Sequence, residues 1–110
     1  MTFSELDVVV VPFPFTDRAE AKRRPALVVS SNEFNSQHRQ TILAMITTAE
    51  SADWPSDILI QDWKAAGLSV ACTVRLKLFT LDNGLVVRRL GKLSERDRRA
   101  AKRALGKFLV

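Results

Sequence analysis

The stretch DVVVVPFPFTDRAEAKRRPALVVS, residues 7–30, decides the fold of this 110-residue chain. Its first part, Val8–Val11, is apolar and β-branched at every position. Such a run predicts a strand that protein covers on both faces. Pro12 and Pro14 cannot donate hydrogen bonds to a neighbouring strand, so this strand should end at a sheet edge or run into a loop.

A polar loop over residues 16–23 leads from this strand to a second apolar strand, Pro25–Ser30. Arg24 lies at the end of the loop, directly before the proline. A residue in that position is pushed out of the helical region, so Arg24 should be held extended. A cation held in a fixed position at the start of a strand is well suited to bind an anion.

The rest of the chain predicts several short strands followed by one helix. The residues 31–40 form a polar connection, Trp63–Gly67 predicts a helical turn that Gly67 ends, and Asn83-Gly84 is a turn favoured between paired strands. Many short strands with one terminal helix favour a small, curved antiparallel sheet or barrel. The further strands are predicted at Thr41–Thr48, Asp57–Ile60, Val70–Leu76, Lys77–Leu81 and Leu85–Leu90.

The terminal helix is predicted to begin at Ser94, whose side chain can cap the first turn. Asp97, three residues on, resembles the reciprocal partner of a capping box. Ala101, Leu105 and Phe108 recur at helical spacing and form an apolar stripe. Ala104 and Leu109 would widen that stripe.

Length and composition predict one domain, residues 1–110, located in the cytoplasm. The sequence contains neither a run of about 20 apolar residues that would span a membrane nor the pattern of a signal peptide. The lone cysteine, Cys72, excludes an internal disulfide and a cysteine-based metal site, and we expect it to be a small buried residue.

The net charge of +5 is concentrated at the end of the chain. Residues 88–110 hold nine Lys or Arg against two acidic residues, a balance of +7 that leaves −2 for the first 87 residues. A basic end on a nearly neutral body suggests a polyanionic or acidic partner. A solvated helix face rich in arginine is the alternative interpretation.

The opening pattern DVVVVPFPFTD, followed by KRRPALVVS, resembles the signature of the MazF/PemK family of toxin endoribonucleases. Later segments continue this resemblance in the family order, so that it spans most of the chain. These segments are AMITTA at 44–49, WPSDILIQDWKAAGL at 54–68, TVRLKLFTLD at 73–82 and LGKLSERD at 90–97.

The resemblance implies a mainly β fold, a small SH3-like antiparallel barrel of the MazF/PemK/CcdB type with a C-terminal α-helix. It implies a homodimer that cleaves single-stranded RNA, with messenger RNA the expected substrate, at short specific sequences. It also implies that cleavage needs neither a metal nor another cofactor. The expected protein partner is a cognate antitoxin with a disordered segment that folds over the active groove.

Site residues can be carried over from the family pattern onto this sequence. The arginine before the proline is catalytic in the family, which identifies Arg24, and the hydroxyl residue after the isoleucine of the third strand is its companion, which identifies Thr47. Thr48 is the next candidate. Arg75 matches a substrate-binding arginine of a later strand. Three residues of the loop are further expected to contact RNA: Thr16, Lys22 and Arg23.

The chemistry of these residues suits RNA cleavage through the ribose 2′-OH. The protein must orient this hydroxyl, stabilise negative charge on the phosphate and move two protons. An arginine donates two parallel hydrogen bonds to phosphate and stays charged, and a threonine hydroxyl can donate to a non-bridging oxygen. Because arginine cannot act as a base, Glu20 is the candidate base, with an RNA group or water as alternatives.

Two departures from the family pattern stand out. In some members an aspartate follows two residues after the arginine that Arg75 matches, but here Leu76-Lys77 follows and the aspartate is missing. Leu6 stands where a glycine usually precedes the aspartate, a change that affects folding more than chemistry. Without its aspartate, Arg75 could simply form an ion pair at the end of a strand.

Other functions remain open from the sequence. A non-catalytic module of the same fold could bind RNA or a protein, and a related toxin group with a similar fold poisons a topoisomerase, gyrase. The pair of Arg24 and Thr47 favours the nuclease, because a pure binder would not need it. Trp54 and Trp63 could stack on bases or pack in the core or a dimer, and His38 is expected to be an exposed loop residue.

Overall fold

The computed structural model describes residues 3–12, 22–49 and 53–109. Six strands form one antiparallel sheet in the order β4-β5-β3-β2-β1-β6, which curls into a half-barrel. The predicted mainly β fold with a C-terminal helix is thereby confirmed. The elements are β1 (Asp7–Pro12), β2 (Arg23–Val28), α1 (Asn32–His38), β3 (Gln40–Thr48), β4 (Ile58–Leu59), β5 (Cys72–Asp82), β6 (Arg88–Lys92) and α2 (Glu95–Phe108).

Strand β1 lies between β2 and β6 and pairs antiparallel with both. Its neighbouring residues Val8 and Val9 point to opposite faces, and both are fully buried. The sequence prediction that this strand is covered on both faces is therefore confirmed. Within the described residues, the pairing with β2 runs as far as Pro12, which is the partner of Arg23.

One face of the sheet, which we call the helix face, packs against α2. Side chains of four neighbouring strands alternate onto it and meet the buried Ala101 of the helix in one apolar cluster. Cys72 is buried in the same cluster, as the sequence predicted. The sheet residues of the helix face include Val8, Leu27, Ala44, Ile46 and Val74.

Helix α2 is fixed at its first turn. The Ser94 side chain accepts a hydrogen bond from Asp97 N at 3.4 Å, which confirms the predicted cap. The buried Asp97 carboxylate accepts from the backbone N–H groups of Gln61 (3.1 Å) and Asp62 (2.8 Å). The acidic residue of the predicted capping box thus joins the helix to the preceding turn. Phe108, predicted to extend the apolar stripe, is exposed at the far end.

The other side of the sheet, which we call the opposite face, carries a second buried cluster. It forms where alternate residues of β1, β2 and β3 meet Phe3, with Phe79, Leu81 and Val86 packed against it. The buried sheet residues of the opposite face are Val9, Val11, Ala26, Val28 and Leu43.

The segment 31–40, predicted as a polar connection, contains helix α1. Ser31 caps it by accepting from Phe34 N at 3.1 Å. Its buried contact is made by the amide of Asn35, which donates to Phe3 O at 2.7 Å. A buried amide leaves no apolar periodicity in the sequence, so the helix was not predicted. His38 is exposed, as predicted, but ends this helix and contacts the Phe34 ring.

The predicted hairpin around Asn83-Gly84 is wrong. Strand β5 runs without a break over the predicted division between Leu76 and Lys77, and β6 pairs with β1 instead of β5. Residues 83–85 form a turn of 3-10 helix. The Asn83 side chain donates to Asn35 O at 2.9 Å and holds this turn against α1. After the turn, Val87 N donates to Val10 O on β1.

Two backbone positions with positive φ shape the helix face. Gly67 ends the predicted helical turn at φ 86°, and a Cβ there would clash with Leu90 O. Leu6, which is not a glycine, also has a positive φ, of 64°. Its side chain is buried, with 2% exposed. Its backbone N–H donates to Val28 O and its carbonyl accepts from Leu93 N. Within the described residues no helix is long and apolar enough to cross a membrane.

Candidate functional site

The strand registers bring Arg24, Thr47 and Thr73 into one row across the sheet. Thr47 of β3 is the partner of Thr73 of β5. In the register of β2 and β3, Ala26 is the partner of Met45. Continuing this register by two residues brings Arg24 level with Thr47, where partners on adjacent antiparallel strands lie about 4.5–5.5 Å apart between Cα atoms.

All three side chains of this row belong to the opposite face. Arg24 alternates in phase with Ala26, a residue of the cluster on that face. Arg24 is exposed, Thr47 half-buried and Thr73 buried. The row therefore presents a cation and a hydroxyl side by side, the two groups that the sequence predicts for contacts to a phosphate.

A second row on the same face contains Arg75, the partner of Met45. Its guanidinium forms a two-point ion pair with Asp57, with distances of 3.2 Å from Nε to Oδ1 and 2.9 Å from Nη2 to Oδ2. The side chains of Arg75 and Asp57 are only 12% and 8% exposed. Arg75 thus meets a carboxylate from the segment before β4, although the aspartate expected two residues after it is missing.

The electrostatics of the Asp57 carboxyl follow from this pairing. Burial alone would raise its pKa, but the hydrogen bond and the charge of Arg75, with a backbone hydrogen bond from Trp54, lower the pKa below its ordinary value. The pKa of Arg75 is raised by the same hydrogen bond. Both groups are therefore held in their charged forms.

An arginine-rich groove of about 470 Å³ lies beside the first row. It is lined by Arg23, Arg24 and Arg88, and by the segment 67–69. Arg23 alternates onto the other side of β2 from Arg24, so the two arginines reach this region from different faces. Three cations around one cavity suit an anionic ligand.

The other predicted site residues are placed differently. Thr48 is exposed at the end of β3 and alternates away from Thr47 towards the helix face. Lys22 is exposed just before β2. Glu20 and Thr16 lie outside the described residues. Within residues 3–12, 22–49 and 53–109, no three His, Cys, Asp or Glu side chains are close enough together to hold a metal ion.

Asp57 is the residue of this region that the sequence reasoning missed. Its partner Arg75 lies 18 residues away, and the pair forms through the register of β4 and β5, in which Ile58 is the partner of Val74. The sequence showed only that an acidic residue, Asp57, begins a short predicted strand. Nothing local in the sequence connects that residue to an arginine on another strand.

Comparison with known proteins supports the predicted resemblance. Residues 4–109 match the model of a family described as PemK-like, MazF-like toxin of type II toxin-antitoxin system. No curated protein matches the sequence significantly. Many solved chains do match the structure.

One similar structure is a mycobacterial endoribonuclease in complex with its cognate antitoxin, with a TM-score of 0.75 and 18% identity over 97% of this chain and 94% of that chain. MazF from Deinococcus radiodurans has a TM-score of 0.73 and 19% identity over 99% and 97%. Toxin MazF-mt6 from Mycobacterium tuberculosis has a TM-score of 0.72 and 17% identity over 92% and 93%. At these identities the likeness establishes a shared fold.

Proposed function

We propose, from the premise that this chain belongs to the PemK-like, MazF-like toxins of type II toxin-antitoxin systems, that it is an endoribonuclease that cleaves single-stranded RNA. The observation that carries the proposal is the register of β2 and β3, whose continuation by two residues beyond Ala26 and Met45 brings Arg24 level with Thr47 on one face. Cleavage occurs at short specific sequences and uses the 2′-OH as nucleophile, so no metal is required.

The proposed reaction is a transesterification. The 2′ oxygen forms a bond to the adjacent phosphorus while the bond from phosphorus to the 5′ oxygen breaks, giving a 2′,3′-cyclic phosphate and a free 5′-hydroxyl. Arg24 donates two hydrogen bonds to the phosphate as negative charge develops there, and the Thr47 hydroxyl donates to a non-bridging oxygen. The 2′ proton leaves to a base, for which Glu20 stays the candidate, and the leaving 5′ oxygen takes a proton from water.

The partners are proposed on the same premise. Two similar structures are described as complexes of a toxin with an antitoxin, one mycobacterial and one from Deinococcus radiodurans. We propose that this chain forms a homodimer and that a cognate antitoxin neutralises it. The groove lined by Arg23, Arg24 and Arg88 suits the acidic side chains of such a partner as well as RNA.

The test incubates the purified protein with mixed-sequence single-stranded RNA in excess chelator and maps the fragment ends. Wild type should cut selectively and leave cyclic phosphates. Arg24→Ala should cut at least about 100-fold more slowly, because removing one donor to a developing oxyanion costs about 10²–10³ in rate. Its thermal unfolding should be almost unchanged, because exposed substitutions alter stability by less than about 0.5 kcal/mol.

Arg23→Ala is the matched comparison, because it removes a neighbouring arginine that is expected to contact RNA from the other face and leaves Arg24 in place. It should raise KM and leave kcat within a few-fold of wild type. Equal cleavage by wild type and Arg24→Ala would put the active site elsewhere. Binding of RNA without any cleavage by wild type would instead favour the non-catalytic binding module.

A further inference from the structure

The two tryptophans of the chain differ in exposure. Trp63 packs, partly buried, against the core of the helix face. Trp54 is 43% exposed and lies just before β4. Since an exposed aromatic ring gains little from the fold, Trp54 is the one of the two that is available to a ligand.

Trp54 is held in place by the ion pair of the opposite face. Its backbone N–H donates to Asp57 Oδ2 at 3.0 Å, and Asp57 N donates back to Trp54 O at 3.0 Å. The guanidinium of Arg75 lies 5.5 Å from the centre of the indole ring. Asp57 thus fixes both the backbone that carries the ring and the cation against it.

This arrangement lies next to the proposed cleavage position. Leu59 and Ile58 of β4 are the partners of Thr73 and Val74, and the continuation of that register brings Asp57 level with Arg75. Thr73 is itself the partner of Thr47. The rows of Thr47 and of Arg75 are two residues apart, a distance of about 7 Å along the strands.

The charges around Trp54 favour binding of a nucleobase there over binding of a phosphate. Asp57 neutralises Arg75 through two hydrogen bonds, and the negative charge of Asp53 also acts on the guanidinium. A phosphate would have to compete with these carboxylates for Arg75. The face of a nucleobase carries no charge and can stack on the indole without disturbing the ion pair.

We propose that Trp54 is a stacking platform for a nucleobase of the bound RNA, adjacent to the cleaved phosphate, and that Asp57 and Arg75 are its positioning residues. The inference rests on the proposed function, since it takes single-stranded RNA as the ligand. Stacking of this kind accepts any base, so Trp54 contributes affinity to the complex and leaves sequence selection to other contacts.

The first test measures binding without cleavage. The probe is a mixed-sequence 2′-O-methyl hexanucleotide, which lacks the nucleophilic hydroxyl, added to a Trp63→Phe protein in which Trp54 is the remaining tryptophan. Stacking should quench Trp54 fluorescence on binding. In the otherwise wild-type chain, Trp54→Ala should weaken binding roughly 5- to 150-fold, and Trp54→Phe should restore part of it.

Leu85→Ala is the control, because Leu85 is also an exposed apolar residue and follows the far end of β5. It should leave binding unchanged. For cleavage, Trp54→Ala should raise KM and leave kcat at saturating RNA within a few-fold. Unquenched fluorescence together with wild-type binding by Trp54→Ala would overturn the proposal, and so would a loss of the dimer in that variant, which would assign Trp54 to a contact between copies.

The positioning role has a separate readout. Asp57→Asn releases Arg75 from its carboxylate, so Arg75 should gain a phosphate contact, and the slope of log binding constant against log salt should steepen by about 0.7. An unchanged slope would overturn the role of Asp57. Quenching of Trp54 by the hexanucleotide in a protein that cuts no RNA would refute the proposed nuclease and leave the stacking site standing.

Discussion

The two faces of the sheet are built from the same strands but differ in what they hold. The helix face is apolar across the sheet, from Val8 on β1 to Val74 on β5, and packs against α2. The buried Asp97 fixes the start of that helix. The opposite face carries Arg24 and Thr47 at the end of its apolar cluster. Since successive side chains of a strand point to opposite faces, one strand supplies stability through one residue and proposed chemistry through the next.

Substitutions of two neighbouring residues of β3 should have the largest effects, one on stability and the other on RNA cleavage. Ile46 is 2% exposed on the helix face, so Ile46→Ala should lower the free energy of unfolding by about 2–5 kcal/mol. Thr47→Val keeps the branched shape on the opposite face and should cost less than about 1 kcal/mol. It should nevertheless slow RNA cleavage about 10²–10³-fold, because it removes a donor to the phosphate.

Denaturant unfolding and cleavage rates, measured on both variants, check this prediction. Ile46→Ala should cut at the wild-type rate per folded molecule. A Thr47→Val enzyme with wild-type activity would show that the Thr47 hydroxyl has no part in the reaction.

Two glycines test how closely the helix face is packed, with a smaller effect. Gly67→Ala introduces a Cβ that meets Leu90 O at a positive φ, so it should cost at least about 1–2 kcal/mol. A Cβ at Gly106, inside α2, meets nothing within 4 Å, and Gly106→Ala should stabilise by about 0.4–1 kcal/mol. Thermal melts of both variants should therefore shift in opposite directions. Equal shifts would contradict the close contact between residues 67 and 90.

The smallest effect concerns a charge at the rim of the helix face. Hydrogen bonds from Arg96 and Ser94 lower the pKa of Asp62 to about 2. Because this pKa lies below the unfolded value of about 3.9, ionised Asp62 stabilises the fold above pH of about 4, and that stabilisation is lost as the pH falls towards 2. Asp57 on the opposite face has a lowered pKa as well, so the sign of its contribution is the same.

Thermal melts from pH 5 to about 2 check this prediction. Asp62→Asn should flatten the loss of stability below a pH of about 4, and Arg96→Gln should weaken the same dependence. Both changes should be small, because the side chains of this ion pair are partly exposed and water screens it. An acid dependence equal to that of wild type in Asp62→Asn would contradict the lowered pKa.

The comparison of the faces also explains what the sequence could predict. The apolar runs of β1, β2 and β3 were recognised because burial on both faces leaves a continuous signal. Helix α1 was missed because its buried residue is Asn35, and the hairpin at Asn83 failed because β6 finds its partner in the distant β1. Local patterns carry no information about which strand a segment will join.

The candidate site divides in the same way. Arg24 and Thr47 were found from the resemblance, and their alignment depends on the register of β2 against β3. The pairing of Asp57 with Arg75 could not be predicted, because it needs β4 to lie along β5 in one register. Trp54 was recognised as a possible stacking residue, but its difference from Trp63 is a matter of burial that spacing does not encode.

Leu6 determines which substitutions its position can tolerate. It occupies a left-handed backbone position where the family pattern has glycine, and this conformation costs a leucine about 1–2 kcal/mol. Its buried side chain offsets that cost, since deleting a core leucine typically costs about 2–5 kcal/mol. Leu6→Gly would relieve the backbone strain but would empty a filled space in the core, so it should lower the stability of the fold. The backbone at this position favours glycine, whereas the core around it requires leucine.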